Sequence, residues 1–124
     1  MKLCRRQACR CRKSWFSETL PNYDHGPIAI LRLDGDFYAS VMDSLINLWQ
    51  HVVFGGLIIL DDYYTWTGCT RAVHDFLSQN QLTEPIQQFH GTFAYIVKER
   101  HKNQASGNLV KERWASSGEP QTLA

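Results

Sequence analysis

A chain of 124 residues, 44% hydrophobic and 12% aromatic, has material for one globular domain with a core of its own. A formal net charge of +1 argues against a general nucleic-acid binder, and no run approaches the roughly 18 apolar residues of a membrane span. The basic start is followed by no apolar h-region of a signal peptide, so a cytoplasmic location is expected. Cys4, Cys9, Cys11 and Cys69 suit a reducing compartment, and their spacing does not match a zinc knuckle.

Lys2, Arg5, Arg6, Arg10, Arg12 and Lys13 crowd the start of the chain with no acid among them. A basic arm for RNA or an anionic membrane is one reading; a solvated leader outside the folded unit is the preferred one. Residues 1–13 show neither helical nor strand periodicity and are expected to be disordered. Over 14–24, the adjacent aromatics Trp15 and Phe16 precede Glu18, Thr19, Leu20 and Pro21, which suggests a loop with a short helical turn. The two rings serve either as a plug under the domain or as part of a lid over a ligand.

Ile28–Leu33 shows no alternation of polar and apolar residues apart from Arg32, which predicts an internal, parallel strand covered on both faces. Arg32 either pairs for structural reasons or reaches past the sheet edge to a carboxylate or ligand. From Phe37 the apolar positions Phe37, Val41, Leu45, Leu48, Trp49, Val52 and Val53 mark one face of a helix. Asp36 or Asp43 suits the positive end of that helix, and Phe54-Gly55-Gly56 reads as its stop. Leu57-Ile58-Ile59-Leu60 is then a second strand, again apolar on both sides.

After Asp61-Asp62-Tyr63-Tyr64 a loop leads to a helix over 69–80 with Ala72, Val73, Phe76 and Leu77 inward; His74 and Asp75 fall on its solvated faces. Residues 86–89 and Phe93–Val97, separated by His90-Gly91-Thr92, read as a hairpin with Gly91 in the turn. The predicted order is β-α-β-α-β-β, in the α/β class. Residues 99–124 are a polar tail, with a frayed helix around 109–114.

The segment 27–64 is a βαβ unit: two apolar strands, each breaking into aspartate at the same end, joined by one amphipathic helix. A right-handed crossover sets such strands in parallel about 4.8 Å apart. Asp34, Asp61 and Asp62 then meet at the carboxyl edge of the sheet, where open α/β folds bind ligands. Three converging carboxylates repel one another, and a hard divalent cation such as Mg²⁺ relieves them while keeping positions open for water or substrate oxygen. Such a site can chelate a hydroxyl and lower its pKa, with Asp34 placed to accept the proton. Capping of the following turn is the competing reading of the Asp-Asp pair. A two-metal phosphoryl-transfer site is weaker, since no basic cradle for phosphates accompanies the aspartates.

Four motifs carry a resemblance: Leu31-Arg32-Leu33-Asp34-Gly35-Asp36-Phe37-Tyr38; Gly55-Gly56 with Ile58-Ile59-Leu60-Asp61-Asp62-Tyr63; Gly68-Cys69 with Arg71-Ala72-Val73; and Trp15-Phe16-Ser17-Glu18-Thr19-Leu20-Pro21. Together, over 14–98, they resemble the macrocin O-methyltransferase (TylF/MycF) family, S-adenosylmethionine-dependent enzymes that methylate sugar hydroxyls of antibiotics. The resemblance implies a Rossmann-like class I methyltransferase fold, Mg²⁺ held by Asp34, Asp61 and Asp62, and Asp34 helping to deprotonate the acceptor hydroxyl. It also implies substrate-facing roles for Trp15, Phe16 and Tyr63.

The family carries a Gly-rich turn after its first strand and an acidic residue that holds the ribose, and neither is found here between a strand and a helix. The expectation is therefore the C-terminal half of a methyltransferase, 14–98, with the cofactor-binding residues mostly in a missing N-terminal half. On its own such a chain should be inactive and should not bind S-adenosylmethionine. The expected partners are a small-molecule hydroxyl substrate and either a separate N-terminal half or a second copy of the chain, without nucleic acid or membrane. The alternative function is a non-catalytic interaction module that pairs through an exposed sheet edge.

Overall fold

Two parallel strands with a helical crossover form the frame. The structure, a computed structural model, describes residues 11–101. The expectations for 1–10 of the basic leader and for the tail beyond 101 lie outside the described residues. Strand β1 (Ile28–Leu33) is followed by α2 (Tyr38–Leu48) and β2 (Val52–Leu60), then by α3 (Thr67–Gln79) and the hairpin β3 (Gln87–Phe89) and β4 (Phe93–Val97). The short α1 (Phe16–Thr19) and a 3₁₀ turn, Leu20–Asn22, lead into β1. The strand order is β1-β2-β4-β3, with β1 and β2 parallel and the other pairs antiparallel. The α/β order predicted from sequence is the one observed, and Gly91 turns the hairpin at φ 73°. Among the described residues no helix is long and apolar enough to cross a membrane.

Side chains alternate across each strand, and that alternation decides the core. Leu31 and Leu33 of β1, Ile58 and Leu60 of β2, and Ala94 and Ile96 of β4 turn to one face. They meet Val41, Leu45 and Trp49 from the α2 region and Ala72, Val73 and Phe76 from α3, and the Trp49 and Phe76 rings lie 5.4 Å apart. The inward set predicted for α3 is confirmed.

Three expectations are corrected. Strands β1 and β2 are not covered on both faces: α2 and α3 both pack on one side, leaving Ile30 63% exposed and Leu57 and Ile59 half-buried on the other. Among the described residues, strand β1 is also an edge strand rather than an internal one.

Second, α2 stops at Leu48, followed by a 3₁₀ turn, Trp49–His51, and β2 begins at Val52, so that Gly55 and Gly56 lie inside the strand. The register jumps from Ile28 opposite Val52 to Ile30 opposite Leu57, and the surplus residues bulge out. Gly55 takes φ 80°, and a Cβ on Gly56 would stand 2.7 Å from both Val52 Cγ1 and Val53 O. The buried Lys98 clasps this bend: its ammonium donates to Trp49 O at 2.7 Å and Val52 O at 2.8 Å. Burial lowers the Lys98 pKa. Third, Phe37 is exposed at the N-cap of α2 and Asp36 makes no capping bond, while Asp43 lies beyond the first turn.

Candidate metal centre

The strand alternation, carried one step past the strand ends, arranges the carboxylates. In β1, Ile30 and Arg32 point to the open face, and Asp34 continues that phase; in β2, Leu57 and Ile59 do so, and Asp61 continues it. Asp62 falls in the opposite phase, following Leu60. The Asp61 N–H donates to Leu33 O at 3.1 Å, which ties the two strand ends together at this point. Trp66 and Thr65 N–H donate to Asp62 O at 2.9 and 3.1 Å, so the chain turns sharply into α3.

One carboxylate oxygen each from Asp34, Asp61 and Asp62 lies within 4.8 Å of the others, so the structure brings together all three predicted ligands. Asp34 is exposed, and Asp61 and Asp62 are half-buried. Asp62 Oδ2 is shielded from solvent without a hydrogen-bond partner. Burial, then the charges of Asp36, Asp34 and Asp61, push the Asp62 pKa above its usual value. An all-oxygen anionic donor set with an orphaned carboxylate oxygen fits a hard divalent cation.

Arg32 supplies positive charge to this edge. Its Nη2 donates to Asp61 Oδ2 at 3.0 Å and stands 3.6 Å from Asp34 Oδ2. The hydrogen bond to Asp61, then the charges of Asp61 and Asp34, raise its pKa. The ion pairs of Arg32 with Asp61 and Asp34 are what both readings of Arg32 foresee: a structural pair, made with carboxylates at the sheet edge.

The predicted substrate-facing residues are placed less uniformly. Phe16 lines a cavity of about 150 Å³ beside β1, with Leu20, Leu48, Ser44, Arg32 and Asp34 in its wall. Trp15 is 77% exposed and is not part of that wall. Tyr63 turns toward α3, where its hydroxyl lies 2.7 Å from His74 Nε2, and Thr70 Oγ1 is bonded to Tyr63 O. Burial raises the Tyr63 pKa.

Several residues at the site were missed from sequence. Asp36 adds to the negative field on Asp62. His74 and Asp75 have partners rather than simple solvation: Tyr63 for the first, and for the second Tyr38, whose hydroxyl donates to Asp75 Oδ2 at 2.8 Å. Gly68 opens α3 against the Asp36 loop, where a Cβ would meet Tyr38 N at 2.8 Å and Asp36 O at 3.4 Å. The period-two rule could have found the placement of Arg32 on the face of Asp34; nothing local signals the close approach of Gly68.

A βαβ crossover with carboxylates at the carboxyl ends of adjacent parallel strands defines an α/β protein whose acidic cluster stands at the sheet edge where open α/β folds bind ligands. The chain belongs to the macrocin-O-methyltransferase (TylF) family, whose sequence model matches residues 5–98. It is similar to an 8-demethyl-8-(2,3-dimethoxy-alpha-L-rhamnosyl)-tetracenomycin-C 4'-O-methyltransferase of Streptomyces olivaceus, 42% identical over 63% of this chain and 30% of that protein. It is also similar to the mycinamicin III 3''-O-methyltransferase of Micromonospora griseorubida, 35% identical over 58% of this chain and 28% of the relative. The solved structure of the O-methyltransferase NovP superposes with a TM-score of 0.66 at 34% identity, covering 69% of this chain and 36% of NovP. The chain thus has a methyltransferase fold and spans about a third of the length of these relatives.

Proposed function

We propose that the chain forms the acceptor side of an S-adenosylmethionine-dependent, Mg²⁺-dependent O-methyltransferase site, acting in the cytoplasm on a hydroxyl of a sugar or other small molecule. Among what supports this, the convergence of Asp34, Asp61 and Asp62 within 4.8 Å carries most weight, on a chain whose relatives are named O-methyltransferases. Asp34, Asp61 and Asp62 would hold the cation, which when bound acidifies a chelated hydroxyl. S-adenosylmethionine would supply the methyl group. The residues of this chain do the rest. Asp34, the most exposed of the three, takes the hydroxyl proton as the oxygen becomes nucleophilic. Phe16 offers an apolar wall beside Asp34, and Trp15 and Tyr63 would reach the acceptor only from outside that wall.

The test is transfer of labelled methyl from S-adenosylmethionine to a rhamnosylated acceptor in Mg²⁺, with the chain alone and with the N-terminal part of NovP supplied in trans. The expected result is transfer in the mixture, lost in Asp34→Asn. No transfer in any combination would contradict it.

One observation favours a second reading, an interaction module: β1 is an edge strand whose open face carries Ile30 beside the half-buried Leu57 and Ile59. Such an edge pairs with further polypeptide, either a separate N-terminal half or a second copy. Light scattering on the eluting chain reads this directly: a monomer that ignores an added N-terminal fragment would remove the reading.

A further inference from the structure

The reading of Asp34, Asp61 and Asp62 as a cation site leaves Arg32 unexplained. Its guanidinium sits between two of the three candidate ligands, at 3.0 Å from Asp61 Oδ2 and 3.6 Å from Asp34 Oδ2. The third, Asp62, keeps a buried oxygen with no partner. A divalent ion bound by one oxygen from each residue needs lone pairs on the Asp34 and Asp61 carboxylates, the groups that the guanidinium now neutralises. Arg32 also stands on the open face of β1, with its side chain 59% exposed, so its long stem is free to swing into solvent.

We infer that Arg32 is the resident counter-cation of this centre, and that a divalent ion binds by displacing its guanidinium from Asp61 and Asp34. The inference rests on the metal reading above. It assigns Arg32 a positioning role: holding two carboxylates together before the ion arrives and setting how tightly the ion is held. Electrostatics fix the sign. A unit positive charge a few ångströms from a dication opposes binding, and its removal also leaves the unloaded carboxylates repelling one another. Both effects favour the ion once Arg32 is neutralised. For charges at a solvent-exposed edge the combined effect is about tenfold in affinity.

Calorimetric titration of the full chain with MnCl₂ and with MgCl₂ tests this without reference to catalysis, using wild type, Arg32→Met, Arg32→Lys and Asp61→Asn, each checked for native circular dichroism. The expected result is ion affinity about tenfold tighter in Arg32→Met, near wild type in Arg32→Lys, and lost in Asp61→Asn. Ion binding by Arg32→Met alone, with wild type too weak to measure, would also support displacement. Unchanged or weaker binding in Arg32→Met, with Asp61→Asn still abolishing it, would overturn the role of Arg32 and leave the metal centre standing. Binding by none of the folded proteins would overturn both.

Discussion

Asp62 carries an unrelieved electrostatic cost at the site. Its Oδ2 is buried without a partner, and burial together with Asp36, Asp34 and Asp61 raises its pKa. Asp62→Asn should therefore stabilise the metal-free protein, raising its thermal midpoint in EDTA by about 2 °C, a figure kept small because the site is open to solvent. The same substitution should remove the stabilisation that added Mn²⁺ gives wild type. Thermal melts with EDTA and with Mn²⁺ read both effects.

At the level of single residues the sequence was most informative where chemistry and strand phase agree. Asp34 and Asp61 follow apolar strands directly, and their meeting was legible because both strands end in the same direction. Tyr63 and His74 were not legible as a pair: they are joined by the turn into α3, which depends on backbone bonds to Asp62 O.

At the scale of elements, the contact of α3 with the start of α2 near the site depends on Gly68. A methyl there would press on Tyr38 N and Asp36 O, backbone atoms that cannot turn aside as a side chain can. Gly68→Ala should cost about 1–3 kcal/mol of stability, measured by urea unfolding, despite alanine being the better helix former. Tyr38 offers a second test, since α2 and α3 meet through its hydrogen bond to Asp75 with Arg71 5.6 Å from its ring centre. Burial, then the bond to Asp75, push the Tyr38 pKa up to about 12 from 10.0. A raised folded-state value means the neutral phenol is favoured by folding. That stabilisation is whole below pH 10 and is lost as the pH climbs from about 10 to about 12. Phenolate absorbance should show a late-titrating tyrosine that Tyr38→Phe removes.

The element boundaries show why periodicity misleads next to glycine. The apolar spacing through Trp49, Val52 and Val53 continues a helical stripe on paper. The chain instead leaves the helix at Leu48, because Lys98, 46 residues beyond Val52, bonds the carbonyls of Trp49 and Val52. A contact so distant in sequence leaves no local trace. The hairpin at Gly91 and the inward face of α3 were readable because their determinants are local.

For the whole molecule, the open face of the sheet is the feature the sequence described least well. Ile30, Leu57 and Ile59 have the composition of a doubly covered strand, yet both helices pack on the other side. Apolar composition records what a strand can tolerate on each face, and coverage is decided by where the remaining polypeptide lies.

Two adjacent parallel strands deliver three carboxylates to one sheet edge, where we propose that they share one divalent ion. Electron paramagnetic resonance of Mn²⁺ titrated into the full chain counts bound ions directly. One Mn²⁺ per chain is expected, displaced by excess Mg²⁺ and abolished by Asp61→Asn. Free Mn²⁺ signal at every ratio in the folded wild-type and Arg32→Met proteins, or binding that survives Asp61→Asn, would contradict it.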